Sequence, residues 1–484
     1  MDSYFIPLIR LRLAIGASLL ALTALAFAGS ETSTDSSTRR FTLRQAIETA
    51  FQRNPDILRA RQEIRRTKGV LIEVRAQAIP HLDATSNWSY RDPSLLLGAD
   101  QTLTSTPYTY NLDLAGSQLL YNGSFIPAIK GAGSAADASL YALRDTIDTV
   151  IATVRQQFYQ VVLNKDLIGV QEESVQLLES QLKDQQNRFE AGTVPRFNVL
   201  QAEVALANQQ PSLITARNNY RIALLQLAKT IGLDFDPRRG DRSPLECVGE
   251  LSYLPLDMPL TQAVELGKER RPSLKQQRAN IMVQVQQLRG AFANLQPSIN
   301  AQGGYAFESS RFSSQLSDLA QGWFVGISGS WAIFDGLETV GKVKQARATL
   351  SQSKIAYDDG VRQVELEIQQ AYSNLQQDRE LYFSQSKNVD QAREALRLAS
   401  ARLGVGAGVQ LDVLNAQLAL TQAQSTRLSA LAAYNTDMAE FDRATATDTN
   451  YPDTFDDPLA RKNRETRMIK TTKPESGGSK PAGQ

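Results

Sequence analysis

The chain has 484 residues, 42% of them hydrophobic and 21% charged, and 52 Lys and Arg against 51 Asp and Glu leave a net charge of +1. That polarity excludes a bundle of membrane-spanning helices, each of which needs ~20 consecutive apolar residues, and the balanced charge supplies no field to recruit nucleic acid. One cysteine, 29 glycines and 18 prolines exclude disulfide scaffolds and collagen-like fibres, whereas a β-barrel stays open because its lipid-facing residues alternate with polar ones.

Residues 13–28 form the one long apolar stretch, preceded by Arg10 and Arg12 and ending in Ala26-Phe27-Ala28. This order predicts a secretory signal peptide over 1–28, followed by a flexible N-terminus over 29–40. An uncleaved anchor helix is the alternative. Cys247 has no partner within the chain, so an exported form does not rely on disulfides.

The sequence then repeats itself. FTLRQAIETAFQRNPDI from Phe41 aligns with MPLTQAVELGKERRPSL from Met258, and Pro80 falls on Pro297. RFEAGTVPRFNVLQAEVALA from Arg188 aligns with RLGVGAGVQLDVLNAQLALT from Arg402. Matches in one order at nearly constant offset predict two full copies, 41–233 and 260–445, joined by a connector over 234–259. Each copy reads as a helix to Pro80 or Pro297 that Pro55 or Pro272 breaks early. Two short alternating segments follow, then a long helical hairpin over 125–231 or 337–444. The stripe Val150, Val154, Phe158 and Val161 reappears as Val364, Ile368, Tyr372 and Leu375, at spacings that share one helix face. Some 65 helical residues make a rod of roughly 100 Å, which suggests coiled-coil or helical-barrel packing.

The alternating segments predict strands at 81–91, 108–121, 298–308 and 322–335. Leu82, Ala84, Trp88 and Tyr90 share one face of the first, and Tyr108, Tyr110, Leu112 and Leu114 one face of the second. Ile299, Ala301, Tyr305 and Phe307 follow in the third, and Trp323, Val325, Ile327, Trp331 and Ile333 in the fourth. Tyr and Trp gather where a barrel meets the membrane interfaces. A four-stranded sheet packed on the helices of a soluble domain is the other reading. Four strands cannot close a membrane barrel, so a membrane-spanning form requires two or three chains to share one.

Together with Asn54-Pro55, the strand-to-helix junctions Leu120-Tyr121-Asn122-Gly123 and Phe334-Asp335-Gly336, and the two glycine-bearing turns, this order resembles the TolC-type outer-membrane efflux proteins over residues 41–445. The resemblance implies a mainly α fold with a transmembrane β part. A homotrimer would share a twelve-stranded outer-membrane barrel and extend a long α-helical barrel into the periplasm. It further implies a passive exit duct for an efflux pump or type I secretion system. A periplasmic adaptor and an inner-membrane transporter would be the partners, and no cofactor is implied. With His81 as the sole histidine, no His-dependent triad or His/Cys metal site is available. An exported soluble coiled-coil protein without a pore is the alternative.

The resemblance places the hairpin turns Gly192-Thr193-Val194-Pro195 and Gly404-Val405-Gly406-Ala407-Gly408 at the periplasmic tip, as adaptor-docking candidates. Glycine reversing the chain is an equal account of them. Asp412 matches an acidic position lining the closed aperture, with Asn415 one turn on and Asn198 and Gln201 as the copy-one equivalents. Three Asp412 carboxylates around an axis would attract cations, although Asp412 also suits the first turn of a helix. Arg402, Gln410, Arg188 and Arg196 are candidates for polar links that hold the tip shut. Connector residues Pro237, Gly240, Pro244, Gly249 and Pro255 suit a partial belt, and 446–484 reads as a disordered tail.

Overall fold

The computed structural model describes residues 39–92, 94, 107–234, 245–309 and 320–447. The expected signal peptide, the N-terminal segment up to residue 38, Pro237, Gly240 and Pro244 of the connector, and the tail from residue 448 lie outside the described residues. The described residues from Arg40 to Thr447 belong to one compact unit.

Strand β1 (Arg39–Phe41) leads to helix α1 (Leu43–Arg53) and helix α2 (Pro55–Ala76). Thr42 and Gln45 close a capping box, which starts α1. The expected break falls at Asn54, whose extended backbone ends α1 and caps α2. Its Oδ1 accepts from the amides of Asp56 and Ile57 at 2.8 and 3.2 Å, and its Nδ2 donates to the Thr230 carbonyl at 2.7 Å. Pro55 occupies the first helical position, where its missing N–H costs nothing.

Strands β2 (His81–Tyr90) and β3 (Tyr108–Asn122) follow, then the 66-residue helix α3 (Phe125–Glu190) and helix α4 (Arg196–Thr230). The connector contributes β4 (Leu245–Cys247), which pairs with β1. Copy two supplies α5 (Leu260–Arg270), α6 (Pro272–Ala293), β5 (Ser298–Ser309), β6 (Ala320–Ser330), the 67-residue α7 (Glu338–Gly404) and α8 (Gln410–Thr445). Helices α2 and α6 end at Ala76 and Ala293, short of the expected Pro80 and Pro297.

Copy two rebuilds the break with different chemistry. Arg271 stands where Asn54 stood, is buried, and donates to the Arg443 and Ala444 carbonyls and to Glu367. In both copies the break is thus tied to the end of the returning helix. That end takes a left-handed residue each time, Gly232 at φ 73° and Ala446 at φ 51°. A Cβ at Gly232 would lie 2.5 Å from the Arg53 carbonyl oxygen, so glycine is required there.

Each copy has its own core. Val150, Val154, Phe158 and Val161 pack with Ile47, Ile57, Leu227 and Ile231, and Val364, Ile368 and Leu375 pack with Leu274 and Phe441. Gly267 lets α5 sit directly on Ile368 of α7. The connector joins both cores: Leu245 and Cys247 enter the first, while Tyr253, Leu256 and Met258 lie on the second. Tyr253 stacks on Tyr382, and the Tyr434 hydroxyl donates to the Leu254 carbonyl at 2.6 Å. Arg155 of α3 and Asp442 of α8, 2.7 Å apart and largely buried, bridge the copies.

Replacing Asn54 with Ala removes a cap and the tie to Thr230. Loss of about 2 kcal/mol of stability is expected, read as a lowered melting temperature of the purified protein.

Candidate functional site

The sheet comes first because it fixes everything at one end. Its order is β2-β3-β5-β6, all antiparallel. The register sets Ala84 opposite Leu114, Trp88 opposite Tyr110 and Tyr90 opposite Tyr108. It then sets Leu112 and Leu114 opposite Phe307 and Tyr305, and Tyr305 opposite Trp323. Every apolar strand face therefore lies on the same side of one sheet. The other side carries Asp83, Thr85, Asn87, Asn111, Asp113 and Asn300 in mutual register. The apolar side is uncovered: Trp323, Val325 and Ile327 are each more than 70% exposed. Among the described residues strands β2 and β6 end the sheet with unpaired edges.

The aromatic residues fall in two groups. Trp88, Tyr90, Tyr108, Tyr110, Tyr305, Phe307 and Trp323 sit in the half of the sheet away from the helices, with Tyr90 and Tyr108 rings 5.0 Å apart and tilted. Trp331 does not continue the fourth strand, which stops at Ser330 rather than residue 335. Its indole N–H donates to the Leu295 carbonyl at 3.1 Å, so it marks the opposite, helical end together with exposed Tyr121 and Phe334. The strand yields because Asp335 already begins the next helix, accepting from the amides of Leu337 and Thr339. Asn122 acts likewise before α3, accepting from Ser124.

At the far end of the molecule the two hairpin turns share one geometry. Gly192 has φ 75° and Gly406 φ 74°. Around them Gly192 and Thr193 donate to the Phe189 and Arg188 carbonyls, and Gly406 and Ala407 donate to those of Leu403 and Arg402. These are paired closures of a helix C-terminus around a left-handed residue. Gly404 is the last residue of α7, without positive φ, and Gly408 packs closely on Arg402, where a Cβ would lie 3.1 Å from the Arg402 Cβ. Val194 is half-buried, and Pro195 precedes α4 in extended conformation. The turns also expose Val405 and Phe197, of which sequence reasoning passed over Phe197 as a tip candidate.

Asp412 and Asn415 lie three residues apart on the exposed face of α8, while Asn198 and Gln201 are half-buried on α4. Asp412 is also in the first turn of α8. Of the four expected link residues, Gln410 alone reaches another helix by a hydrogen bond among the described residues. Its Oε1 accepts from Gln185 Nε2 of α3 at 3.1 Å, both side chains being buried. Arg188 instead pairs with Asp184 on its own helix, Arg402 makes a weak contact with the nearby Ala407 carbonyl, and Arg196 is exposed. Higher on the same interface Thr421 donates to Ser174 at 3.2 Å. Gln410, Gln417 and Thr421 share the core face of α8 with Val413 and Leu420. Polar residues at that core spacing were the signal for this seam. It is incompletely satisfied, since Gln185 Oε1, Gln410 Nε2 and Gln417 Oε1 are buried without partners.

Elsewhere the chemistry is structural. A cleft of roughly 220 Å³ between the copies is lined by Arg144, Arg270, Lys275 and Arg443 with Asp148 and Asp442, and no Ser, Thr, Cys or His lines it. Burial pushes the Cys247 thiol up to about 12, which leaves it unreactive. Among the described residues no acidic, His or Cys cluster fits a metal ion, and no helix is long and apolar enough to cross a membrane.

A sheet apolar on one side and polar on the other, with helical rods about 100 Å long rising from one end, defines a membrane-anchored channel protein. The outer membrane efflux protein family model matches residues 46–233 and 264–447, one match per copy, and the chain belongs to that family. It is an efflux protein of the outer membrane.

The chain is similar to alkaline protease secretion protein AprF of Pseudomonas aeruginosa, 24% identical over 58% of each chain, so the match spans less than two thirds of that protein. It is also similar to nodulation protein T of Rhizobium leguminosarum bv. viciae, 22% identical over 81% of this chain and 79% of the relative. In fold it resembles the CmeC outer membrane channel of Campylobacter jejuni, with a TM-score of 0.74 at 17% identity over 88% and 89% of the two chains.

The seam supplies a test. Gln410→Ala strands the Gln185 amide and is expected to lower stability by about 1–2 kcal/mol, whereas replacing both Gln185 and Gln410 with Leu raises the melting temperature above that of the single variant.

Proposed function

We propose that three copies of the four-stranded sheet close a twelve-stranded barrel, β6 of one copy pairing with β2 of the next. The observation that carries this reading is the single uncovered apolar face with two unpaired edges. Lipid satisfies no backbone hydrogen bond, so such edges must meet one another. Two copies would give eight strands, whose interior side chains fill; three leave a passage. The two aromatic groups then lie at the two membrane interfaces, and the polar face of Asp83, Asn111 and Asp113 lines water. An exported soluble rod gives no role to an exposed row of Trp323, Val325 and Ile327.

In this reading the duct serves a tripartite efflux pump or a type I secretion system. The relative named for protease secretion and the outer membrane efflux protein family model support that range. The tip residues Gly192, Thr193, Val194, Pro195, Gly404, Gly406 and Gly408 shape two matching turns for a periplasmic adaptor that leads to an inner-membrane transporter. Exposed Phe197 and Val405 supply apolar surface beside them. Asp412 and Asn415, with Asn198 and Gln201, line the aperture, where Asp412 alone contributes charge. The buried Gln185–Gln410 seam holds α8 to α3 next to it.

Two measurements test this. Val325→Arg puts a cation on the lipid face at a cost of about 2–4 kcal/mol near the bilayer centre. It should abolish the heat-labile trimer in outer membranes, while Ser328→Arg on the other face leaves it; equal yields of all forms defeat the barrel. Asp412→Lys should lower cation selectivity in planar bilayers, and unchanged selectivity removes Asp412 from the aperture.

A further inference from the structure

Helix α7 carries Asp378 on the face packed against α8. The residue is 7% exposed and its Oδ2 has no hydrogen-bond partner. Asp437 of α8 brings a second carboxyl beside it, next to Asn374. Two ionised carboxylates are costly in such an interface, because burial and mutual repulsion both favour a proton.

The chain contains its own control. The offset that sets Val364, Ile368 and Leu375 on Val150, Val154 and Val161 also sets Asp378 on Asn164 and Asp437 on Ala223. Asn164 is 7% exposed and Ala223 4%. The copy-one hairpin therefore makes the same helix contact with no carboxyl at all. The fold does not require the acidic pair.

We propose that Asp378 and Asp437 form a proton-binding site that holds α7 against α8 while one proton is shared and loosens that contact when the proton leaves. Protonated Asp378 donates its O–H to the Asp437 carboxylate and satisfies the oxygen that otherwise has no partner. On ionisation the proton passes to solvent and two negative charges face each other between the helices.

The surrounding groups leave the pair unneutralised. Glu440 of α8 adds negative charge, and Arg379 of α7 acts on Tyr434, which Tyr253 of the connector abuts. Arg155 of α3 is engaged by Asp442, Arg443 by Glu440 and Glu367, and Arg271 at the start of α6 by Glu367. Lys268 of α5 pairs with Glu365 of α7. Among the described residues no cation forms an ion pair with Asp378 or Asp437.

Burial first, and the neighbouring Asp437 charge second, push Asp378 from its ordinary 3.8 up to about 6, and burial raises Asp437 as well. The packed hairpin thus keeps a proton that a free carboxyl has already lost. Packing is strongest at acid pH and weakens as pH rises from about 4 to about 6, by at most about tenfold in the packing equilibrium per pH unit.

The test uses the full chain purified in detergent, with Asp378→Asn and Asp437→Ala, the residues copy one already accepts. Melting temperature and the infrared carboxylic-acid C=O band are followed from pH 4 to 8. The wild type should lose melting temperature from about pH 4 to about 6 and then level off, while the band disappears with a midpoint near pH 6. Both variants should flatten the melting profile and match or exceed the wild type at pH 7.5, and Asp378→Asn should remove the band. A flat wild-type profile, or a band and profile unchanged in the variants, overturns the proposal. If Asp378→Asn fails to fold, the Asp437→Ala profile decides alone.

Discussion

A β-sheet edge cannot be left bare in lipid, and most of this architecture follows from that constraint. Among the described residues the larger sheet has four strands, all apolar on one side. In the proposed assembly closure comes from other copies, and each chain is a sector of a tube. The helices inherit that arrangement. They leave the same end of the sheet through two junctions, capped by Asn122 and Asp335. A wall one or two helices thick has little room for a globular core. What core there is lies where a short helix pair crosses each long hairpin, around Val154 and Ile368.

The strands and both turns were legible in the sequence because their signals are local. Alternation over ten residues has few structural readings, and a glycine forced to positive φ has fewer. The break at Pro55 and Pro272 was also visible, but its partners were not. Nothing in the sequence says that Asn54 reaches Thr230, or that an arginine does the same work in copy two. Trp331 was misplaced for a physical reason: alternation continues through Ile333, but the Asp335 cap takes over the backbone first. The seam was legible only on one side. Gln410 was visible as a candidate link, but its partner Gln185 was not, because only the packing of α3 from the other copy covers Gln410 and brings the two together.

The repeat turns such cases into comparisons. Where the copies agree, the feature serves the fold, as with the apolar stripes and the turns at Gly192 and Gly406. Where they differ while the packing stays the same, the difference asks for another cause. Asn54 against Arg271 keeps one tie with two chemistries. Asn164 against Asp378 keeps one contact and adds a charge. The same subtraction separates Arg196, exposed on α4, from Gln410, buried on α8.

The connector spans both cores, with Cys247 in the first and Tyr253 stacked on Tyr382 over the second. It fixes the long hairpin at Tyr382 and leaves the turn beyond it held to the other copy through the Gln185–Gln410 seam. From Tyr382 to Gly404 is 22 residues, or about 33 Å of helix. The strap therefore acts as a fulcrum. A rotation of roughly 10° about it, small enough to keep the ridges of α7 and α8 in contact, carries the turn roughly 6 Å sideways. Displacement at the tip is thus set by leverage, and the sheet at the other end of the rod can stay still while it happens.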